Sequence, residues 1–189
     1  QILTFAPYYG KDLHPLLDLL LDGPDVKTEN SKIRITKNPV EKWENRLAYY
    51  CITNEGTFGY ETKKKGIVKE SLYEGKHNSR KALIGQALIQ AVAQFLANEF
   101  NAKLTNLTHL RKVLYVPVCL VHIPTRPLGK HYYTLEPFIE GEYLKFNNNN
   151  GYVNKALEAA HSILQTFSHF TYCYSRGRVM VTDLQGAVS

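Results

Sequence analysis

Cysteine is scarce in this sequence, and long apolar runs are missing from it. The 189 residues include three cysteines, and an odd, widely spaced set suggests neither a disulfide framework nor a zinc ribbon. We therefore expect a reducing, intracellular compartment such as the cytoplasm. No apolar run approaches the roughly 20 residues of a membrane-spanning helix, and the first residues lack the basic and apolar segments of a signal peptide. Neither a membrane span nor a leader is expected.

Acidic residues are fewer than basic ones. The formal net charge of +6 indicates an anionic partner, such as nucleotide phosphate, nucleic acid or an acidic protein surface. Nucleic acid is not the expected partner, because the lysines and arginines are spread along the chain and no recognition motif is present. A hydrophobic fraction of 44% is ample for a packed core, so a folded domain is expected rather than a disordered chain.

Three motifs of nucleotide-using proteins are also missing. The sequence has no Walker-type glycine loop, no His-Arg-Asp loop and no Asp-Phe-Gly triplet. These motifs position phosphates and metal ions in P-loop ATPases and in ordinary protein kinases. Both classes are therefore disfavoured.

The periodicity of apolar residues predicts an α+β chain. A leucine stripe over residues 13–21 predicts a helix, and alternating residues with turn signals over 33–73 predict strands. The clearest helix is predicted over 79–100, with Ser79 as its N-cap and Asn101 at its exit. The remaining predicted elements are a strand over 113–123 with Pro117 at a bulge or an edge, a strand over 131–135, a helix over about 155–177, and a last strand over 179–184.

Two basic side chains are candidates for binding phosphate. Lys69 emerges from an apolar strand, from which an ammonium group can reach phosphate oxygens. Taken alone, such a residue is more often a surface lysine. The guanidinium of Arg46 can hold phosphate oxygens with two hydrogen bonds, or it can pair with Glu44 or Glu61.

Two further places combine polar groups with a strand end. The segment from Glu136 to Ile139 can offer backbone groups to an adenine ring, although Glu136 before Pro137 also fits a plain turn. Asp183 and Gln185 are two residues apart, so a strand directs them to the same side. There they can meet one hydroxyl group and one metal ion, or Asp183 can simply begin a turn.

Three segments, in this order and separation, resemble the alpha-kinase family. The first joins the Arg-Leu-Ala-Tyr strand at 46–49 to Ile-Val-Lys-Glu-Ser at 67–71. The second is Leu-Glu-Pro-Phe-Ile-Glu-Gly-Glu-Tyr-Leu-Lys-Phe at 135–146, before a run of asparagines. The third is Phe-Ser-His-Phe-Thr-Tyr at 167–172, which leads to Val-Thr-Asp-Leu-Gln-Gly at 181–186. The resemblance covers about residues 40–189 and implies a two-lobed, atypical protein-kinase-like fold that transfers the ATP γ-phosphate to Ser or Thr of a protein substrate.

The resemblance also implies roles for the residues that bind ATP. Lys69 matches the lysine that contacts the ATP phosphates, and Arg46 matches a second phosphate contact. Glu136 and the backbone near Ile139 match the adenine-binding hinge between the lobes. Lys145 is expected near the terminal phosphate.

Catalytic and metal-binding roles are implied at three further positions. Asp183 matches the residue that orients or deprotonates the substrate hydroxyl, and Gln185 matches a ligand of Mg²⁺. His169 matches the first ligand of a structural Zn²⁺ site, although a histidine in an aromatic stretch is otherwise more often a satisfied core residue.

The resemblance divides the chain into an N-lobe over 1–138 and a hinge with a partial C-lobe over 139–189. The family pattern continues beyond Ser189 with a second Mg²⁺ carboxylate, a glycine-rich loop and the other zinc ligands, so the C-lobe is expected to be incomplete in this chain. Ala187 and Trp43 depart from the residues usual at their positions. A non-catalytic nucleotide-binding or scaffold module, a pseudokinase, is therefore the alternative reading.

Overall fold

The computed structural model describes residues 2–5, 26–42, 46–54, 57, 62, 64–72, 79–106, 111–124, 132–154 and 158–188. The predicted leucine-rich helix over 13–21 lies outside these residues. The chain divides into two compact units, of which the first comprises Gln1–Val92 with Val116–Phe138. The second comprises Ala93–Tyr115 with Ile139–Ser189. The long helix contributes residues to both units. No helix in the described part is both long and apolar enough to cross a membrane.

The described elements form a mixed chain of strands and two helices. In chain order they are β1 (Ile2–Phe5), β2 (Val26–Glu29), β3 (Arg34–Ile35), β4 (Glu41–Lys42), β5 (Arg46–Ile52), β6 (Lys65–Ser71), α1 (Arg80–Lys103), β7 (Cys119–His122), β8 (Tyr132–Pro137), β9 (Leu144–Lys145), α2 (Glu158–Tyr174) and β10 (Gln185–Gly186). The predicted strands near 33–35, 46–52, 67–71 and 131–135 and both predicted helices in this part are confirmed, with ends shifted by a few residues.

An antiparallel sheet forms the body of the first unit. Its strand order is β2-β1-β7-β8-β6-β5-β3, and β4 pairs with β5 beside this path. The register of β5 and β6 sets Tyr49 opposite Val68 and Ala48 opposite Lys69. Side chains alternate between the two faces of a strand, so Tyr49 and Val68 lie on one face and Lys69 on the other. The first face carries a buried apolar cluster made of Tyr49, Cys51, Val68, Cys119, Val121, Tyr133 and Leu135.

Gly66 allows β5, β6 and β8 to approach closely within this cluster. A Cβ atom at this position would lie 3.0 Å from Cys51 Sγ and 3.1 Å from the Glu136 carbonyl oxygen. Both distances are too short for a side chain to be accommodated without a shift of its neighbours. The glycine therefore holds β6 at the spacing that aligns Lys69 with its neighbours on β8.

Helix α1 begins where the sequence predicts and ends three residues later. The Ala82 amide donates to Ser79 Oγ at 3.2 Å, which is the expected N-cap bond. Leu83 and Ala87 of the helix are buried with Leu120 of β7. Leu120 is adjacent to Val121 of the apolar cluster, so this part of α1 packs on the opposite face of the sheet. That is the face that carries Lys69.

Helix α2 packs within the second unit through aromatic residues. The ring centroid of Phe100 lies 5.5 Å from that of Phe167 and 5.3 Å from that of Phe170. The Tyr174 hydroxyl donates to Glu99 Oε2 at 3.1 Å. Gly177, at φ 80°, then closes the helix end by donating its amide to the Tyr172 carbonyl at 2.8 Å.

The strand predicted over 113–123 is shorter in the structure, because its first half bonds to α1. Asn101 donates to the Val113 carbonyl and accepts from the Val113 amide, and Gln90 donates to the Val116 carbonyl. Strand β7 is left with Cys119–His122 and lies between β1 and β8. The prediction of a bulge or edge at Pro117 is wrong, since the proline precedes an interior strand.

The last predicted strand, over 179–184, is also wrong. The Val179 amide donates to Ser175 Oγ at 2.9 Å, and the Val181 amide donates to Thr171 Oγ1 at 2.9 Å. These backbone donors bond to hydroxyl groups at or just beyond the end of α2, so no neighbouring strand takes them. Strand pairing is confined to β10, where Gln185 lies opposite Lys145.

Candidate active site

Lys69 and Glu136 form an ion pair on one face of the sheet in the first unit. Lys69 Nζ contacts Glu136 Oε1, and the side chains are 14% and 17% exposed. The register sets Lys69 opposite Thr134 and Ile67 opposite Glu136, so the two charged residues are diagonal neighbours on the same face. Removing two charges from water is costly unless they stay paired. The pair therefore fixes the position of the lysine.

Arg46 lies on the same face, at the start of β5. It is opposite Ser71, two positions along β6 from Lys69. Its Nη2 atom donates to Gln86 Oε1 at 2.8 Å, and the partners proposed from the sequence, Glu44 and Glu61, lie outside the described residues. Gln86 is a residue that sequence reasoning missed. Nothing in the sequence links it to Arg46, because the contact joins positions 40 residues apart.

The Lys69 face also carries exposed apolar side chains. Tyr50 and Ile52 of β5 are 44% and 43% exposed, and Tyr50 lies opposite Ile67. The Tyr50 ring makes an edge contact with Phe138, with centroids 5.6 Å apart and an interplanar angle of 75°. The Phe138 amide donates to the Lys65 carbonyl at 3.0 Å and so extends the β6–β8 ladder. This apolar strip was not predicted, although Tyr50 and Ile52 are an even number of residues from Arg46. A strand directs such residues to the same face.

The predicted hinge residue Ile139 directly follows this strip. It is half-buried, lies in irregular backbone, and is the first residue of its segment in the second unit. The division of the chain falls between Phe138 and Ile139, and it also assigns Ala93–Tyr115 to the second unit. The predicted role of Ile139 in holding adenine stays a prediction.

Three further predicted residues meet in the second unit. Gln185 of β10 lies opposite Lys145 of β9, and the Lys145 ammonium is 3.1 Å from Asp183 Oδ1. Both charged side chains are 48% exposed. The Phe146 amide donates to the Leu184 carbonyl at 2.9 Å, which extends the short ladder towards Asp183. The structure thus brings Lys145, Asp183 and Gln185 to one short pair of strands.

Asp183 adopts a left-handed backbone conformation, with φ 59°. Such a conformation is uncommon for a residue other than glycine, and it persists only where the surroundings hold it. Here the next residue is anchored, since the Leu184 amide donates to Asn147 Oδ1 at 2.9 Å. Asn147 is 3% exposed, and its Nδ2 atom lies 3.5 Å from Ser168 Oγ. Asn147, the first residue of the asparagine run at 147–150, is thus a buried anchor for the Asp183 segment.

The side chains of Asp183 and Gln185 suit a magnesium ion by their chemistry. Both are exposed and flank the buried Leu184, and they supply carboxylate and amide oxygens, which Mg²⁺ prefers. Strand alternation does not direct both side chains to the same side. Asp183 lies outside β10 and its φ is positive.

His169 is exposed on α2, so the alternative of a buried core histidine is wrong. Its ring nitrogens lie 3.8 and 3.7 Å from Cys173 Sγ. Structural zinc sites use four ligands, commonly histidine and cysteine. His169 and Cys173 are two side chains of the kinds that zinc binds. No group of three His, Cys, Asp or Glu side chains comes together in the part of the chain that the structure describes.

Comparisons with known proteins identify the family. The family model of the alpha-kinase family matches residues 41–189. Over 157 residues the chain is 36% identical to alpha-protein kinase vwkA of Dictyostelium discoideum, a match that covers 82% of this chain and 23% of that protein. The chain therefore spans about a quarter of the length of this curated relative.

Solved structures show the same fold. An alpha kinase from Entamoeba histolytica matches with a TM-score of 0.74 at 21% identity, over 100% of this chain and 71% of that chain. The inactive alpha-kinase domain of myosin heavy chain kinase A, in complex with ATP, matches with a TM-score of 0.72 at 21% identity, over 84% of this chain and 71% of that chain. The fold and the family match agree, and the chain belongs to the alpha-kinase family as an alpha-type protein kinase domain.

Proposed function

We propose that this domain transfers the γ-phosphate of ATP to the hydroxyl group of a serine or threonine in a protein. The observation that carries the proposal is the half-buried Lys69–Glu136 pair on a sheet face that also presents Arg46 and exposed apolar side chains. A solved structure with this fold contains ATP. Phosphoryl transfer depends mainly on positioning and charge neutralisation, and these side chains provide both.

In the first unit, the residues on the Lys69 face are assigned to nucleotide binding. Lys69 and Arg46 hold phosphate oxygens, the arginine with two hydrogen bonds. Glu136 and the backbone near Ile139 bind the adenine, and Tyr50 supplies apolar surface for the base. The Lys69–Glu136 contact orients the ammonium group before the nucleotide arrives, so less conformational freedom is lost on binding.

In the second unit, Asp183 is assigned to the substrate hydroxyl. Asp183 orients the hydroxyl and takes its proton while the hydroxyl oxygen bonds to the γ-phosphorus. The bond from that phosphorus to the bridging oxygen breaks, and ADP leaves. Lys145, which lies beside the carboxylate, is assigned to the terminal phosphate. Gln185 and Asp183 would hold Mg²⁺, which when bound neutralises phosphate charge.

The relatives and the cysteines support the proposed substrate class and setting. The names of two similar proteins, alpha-protein kinase vwkA and myosin heavy chain kinase A, describe kinases that act on proteins. The three cysteines are free thiols, which fits the reducing interior of a cell. The first unit is proposed as the nucleotide-binding lobe, and the second as the lobe with the catalytic carboxylate.

The test is transfer of labelled γ-phosphate from Mg-ATP to a basic Ser/Thr protein. Lys69→Ala and Asp183→Ala should each lower kcat by about 10²–10³-fold, as loss of one charge-stabilising group does in other enzymes. Lys65→Ala and Glu142→Ala are matched controls, because they remove exposed charges from the same strand and the same unit. Both should keep activity within about twofold, since exposed substitutions away from a site have small effects.

Other results of the phosphate-transfer assay would change the proposed function. ATP binding without transfer, also in the full-length protein, would favour the pseudokinase alternative. Equal losses in Lys69→Ala and Lys65→Ala would remove Lys69 from the site. Phosphate found on tyrosine rather than on serine or threonine would overturn the assigned specificity.

A further inference from the structure

Three buried residues with hydroxyl groups lie along one side of helix α2 and its last turn. Ser168, Thr171 and Ser175 are three and four residues apart, a spacing that places them on one helix face. Ser175 continues the last turn, since its amide donates to the Thr171 carbonyl at 3.1 Å. The three residues, the hydroxyl stripe, are 6%, 0% and 4% exposed. Because a buried hydroxyl group is costly unless it forms hydrogen bonds, the partners of the stripe indicate its task.

The hydroxyl stripe binds the segment that follows the helix. The Val179 amide donates to Ser175 Oγ at 2.9 Å, and the Val181 amide donates to Thr171 Oγ1 at 2.9 Å. Two residues of an extended chain cover about 6.6 Å, and four residues of a helix rise by about 6 Å. The two spacings agree, so alternate amides of the segment meet hydroxyl groups on consecutive turns of the helix.

The third member of the stripe reaches the segment through Asn147. Ser168 Oγ lies 3.5 Å from Asn147 Nδ2, and Asn147 Oδ1 accepts from the Leu184 amide at 2.9 Å. Asp183 therefore lies between two held amides, that of Val181 before it and that of Leu184 after it. Its left-handed backbone, with φ 59°, is a conformation that persists only where the surroundings hold it.

Thr171 supplies the anchor on the N-terminal side of Asp183. Its hydroxyl donates to the Ser168 carbonyl at 2.7 Å, which uses its one proton and leaves Oγ1 to accept from the Val181 amide. A valine at this position would have nearly the same shape but could not accept that bond. Loss of the acceptor would leave a buried amide without a partner, so the hydroxyl group has a task that packing alone does not provide.

We propose that Thr171 is a positioning residue for Asp183, because its hydroxyl group holds the segment that carries the carboxylate. The inference rests on the proposed role of Asp183 towards the substrate hydroxyl. Thr171 acts through the backbone of Val181 and takes no direct part in the reaction. A group that accepts a proton must lie within hydrogen-bond reach of it, and small displacements of such a group lower the rate strongly.

Two substitutions at position 171 separate the hydroxyl group from the packing. Thr171→Val keeps the methyl group but removes the acceptor, and Thr171→Ser keeps the acceptor but removes the methyl group. In phosphate transfer from Mg-ATP, Thr171→Val should lower kcat by about tenfold or more with little change in the KM for ATP. Thr171→Ser should retain most of kcat, although the loss of a buried methyl group lowers its Tm.

Thr166→Val is the matched control for Thr171→Val. Thr166 is an exposed residue of the same helix, and its hydroxyl donates to the Ser162 carbonyl at 2.8 Å. The control removes the same group from a place that does not touch the Asp183 segment. It should leave kcat within about twofold of the unsubstituted protein, since exposed substitutions have small effects.

Amide hydrogen exchange tests the same hydroxyl group without an activity assay. In the 189-residue chain, Thr171→Val should speed exchange of the Val181 amide by about tenfold or more, as loss of a buried hydrogen bond does. The Val179 amide, which Ser175 holds, should change little in this variant. Ser175→Ala should have the reverse effect on the two amides.

The position of the carboxylate is followed by ¹³C NMR of the Asp183 carboxyl carbon. Its signal should shift in Thr171→Val and stay in place in Thr166→Val and Thr171→Ser. A protein that transfers no phosphate would contradict the proposed function, whereas hydrogen exchange and this signal would still decide whether Thr171 positions Asp183.

Three results would overturn the proposal. Equal exchange of the Val181 amide in Thr171→Val and in the unsubstituted chain would show that the hydroxyl group does not hold the segment. Faster exchange with an unmoved Asp183 signal would confine Thr171 to a role in stability. A kcat that falls in step with Tm in both variants at position 171 would assign the residue to packing.

Discussion

Replacing Asn147 with leucine should both destabilise the second unit and slow phosphate transfer. Leucine has the same branching pattern as asparagine, although it is larger, and it cannot accept the Leu184 amide hydrogen bond, which is 2.9 Å long in the structure. Leu184 is 6% exposed and Asn147 is 3% exposed, so water does not readily replace the lost acceptor. The lost hydrogen bond is also the one that holds Leu184, the residue next to Asp183 with its left-handed backbone.

The magnitude follows from the burial of the amide. A buried donor left without a partner costs about 1–3 kcal/mol, and in a chain of this size each kcal/mol lowers Tm by roughly 2–4 °C. Relaxation of Asp183 out of its left-handed conformation releases about 1–2 kcal/mol of backbone strain, which offsets part of that loss of stability. That relaxation moves the carboxylate, and a barrier increase of about 1.4 kcal/mol lowers the rate tenfold. A tenfold or greater fall in kcat is expected.

The assay combines thermal unfolding with kcat and KM for ATP. Asn149→Ala is the matched control, because Asn149 is an exposed member of the same asparagine run and should change stability by less than about 0.5 kcal/mol. The KM for ATP should change less than kcat, since Lys69 and Arg46, which are assigned to the phosphates, lie in the first unit. Equal Tm values for Asn147→Leu and Asn149→Ala would refute the reasoning about the buried amide.

Two further predictions concern the first unit. Gln86→Leu removes the partner of the Arg46 guanidinium and should raise the KM for ATP several-fold with a small effect on kcat. Steady-state kinetics would measure both constants. An unchanged KM would contradict a positioning role for Gln86. Burial raises the pKa of Cys51 to about 11 and that of Cys119 to about 12, from 9.0. The unfolded thiols therefore ionise first, and stability should fall as the pH rises from about 9 towards 12, by up to about 1.4 kcal/mol per pH unit for each thiol. Denaturation at several pH values would measure this, and Cys119→Ala should flatten the slope.

The strands of the first unit could be predicted because their signal is local. Residues 46–52 and 67–71 alternate or are rich in branched and aromatic side chains, and the structure places β5 and β6 there. The pairing of Lys69 with Glu136 was not predicted, because no local pattern relates two residues that are 67 positions apart, and the family resemblance gave them separate roles. The contact of Arg46 with Gln86 is beyond sequence reasoning for the same reason.

The segment from Val179 to Leu184 shows why some apolar runs mislead. Its pattern is that of a strand, but its Val179, Val181 and Leu184 amides donate to side chains instead of to a neighbouring strand. The acceptors are Ser175, Thr171 and Asn147. A segment held by hydrogen bonds to side-chain hydroxyls and a strand held by backbone hydrogen bonds to its neighbour have similar composition. The choice between them depends on which acceptors the tertiary structure brings near, and the sequence does not contain that information locally.

The Lys69–Glu136 pair of the first unit and the Lys145–Asp183 pair of the second differ in a way that suits their proposed tasks. The Lys69–Glu136 side chains are 14% and 17% exposed, whereas those of Lys145 and Asp183 are both 48% exposed. An exposed pair contributes about 0–1 kcal/mol, so Lys145 and Asp183 can separate at little cost when phosphate or a hydroxyl arrives. A buried pair that loses one partner is strongly destabilised, so Lys69 stays where Glu136 holds it. A fixed cation suits the positioning of phosphates, and a carboxylate that readily changes partners suits the acceptance of a proton.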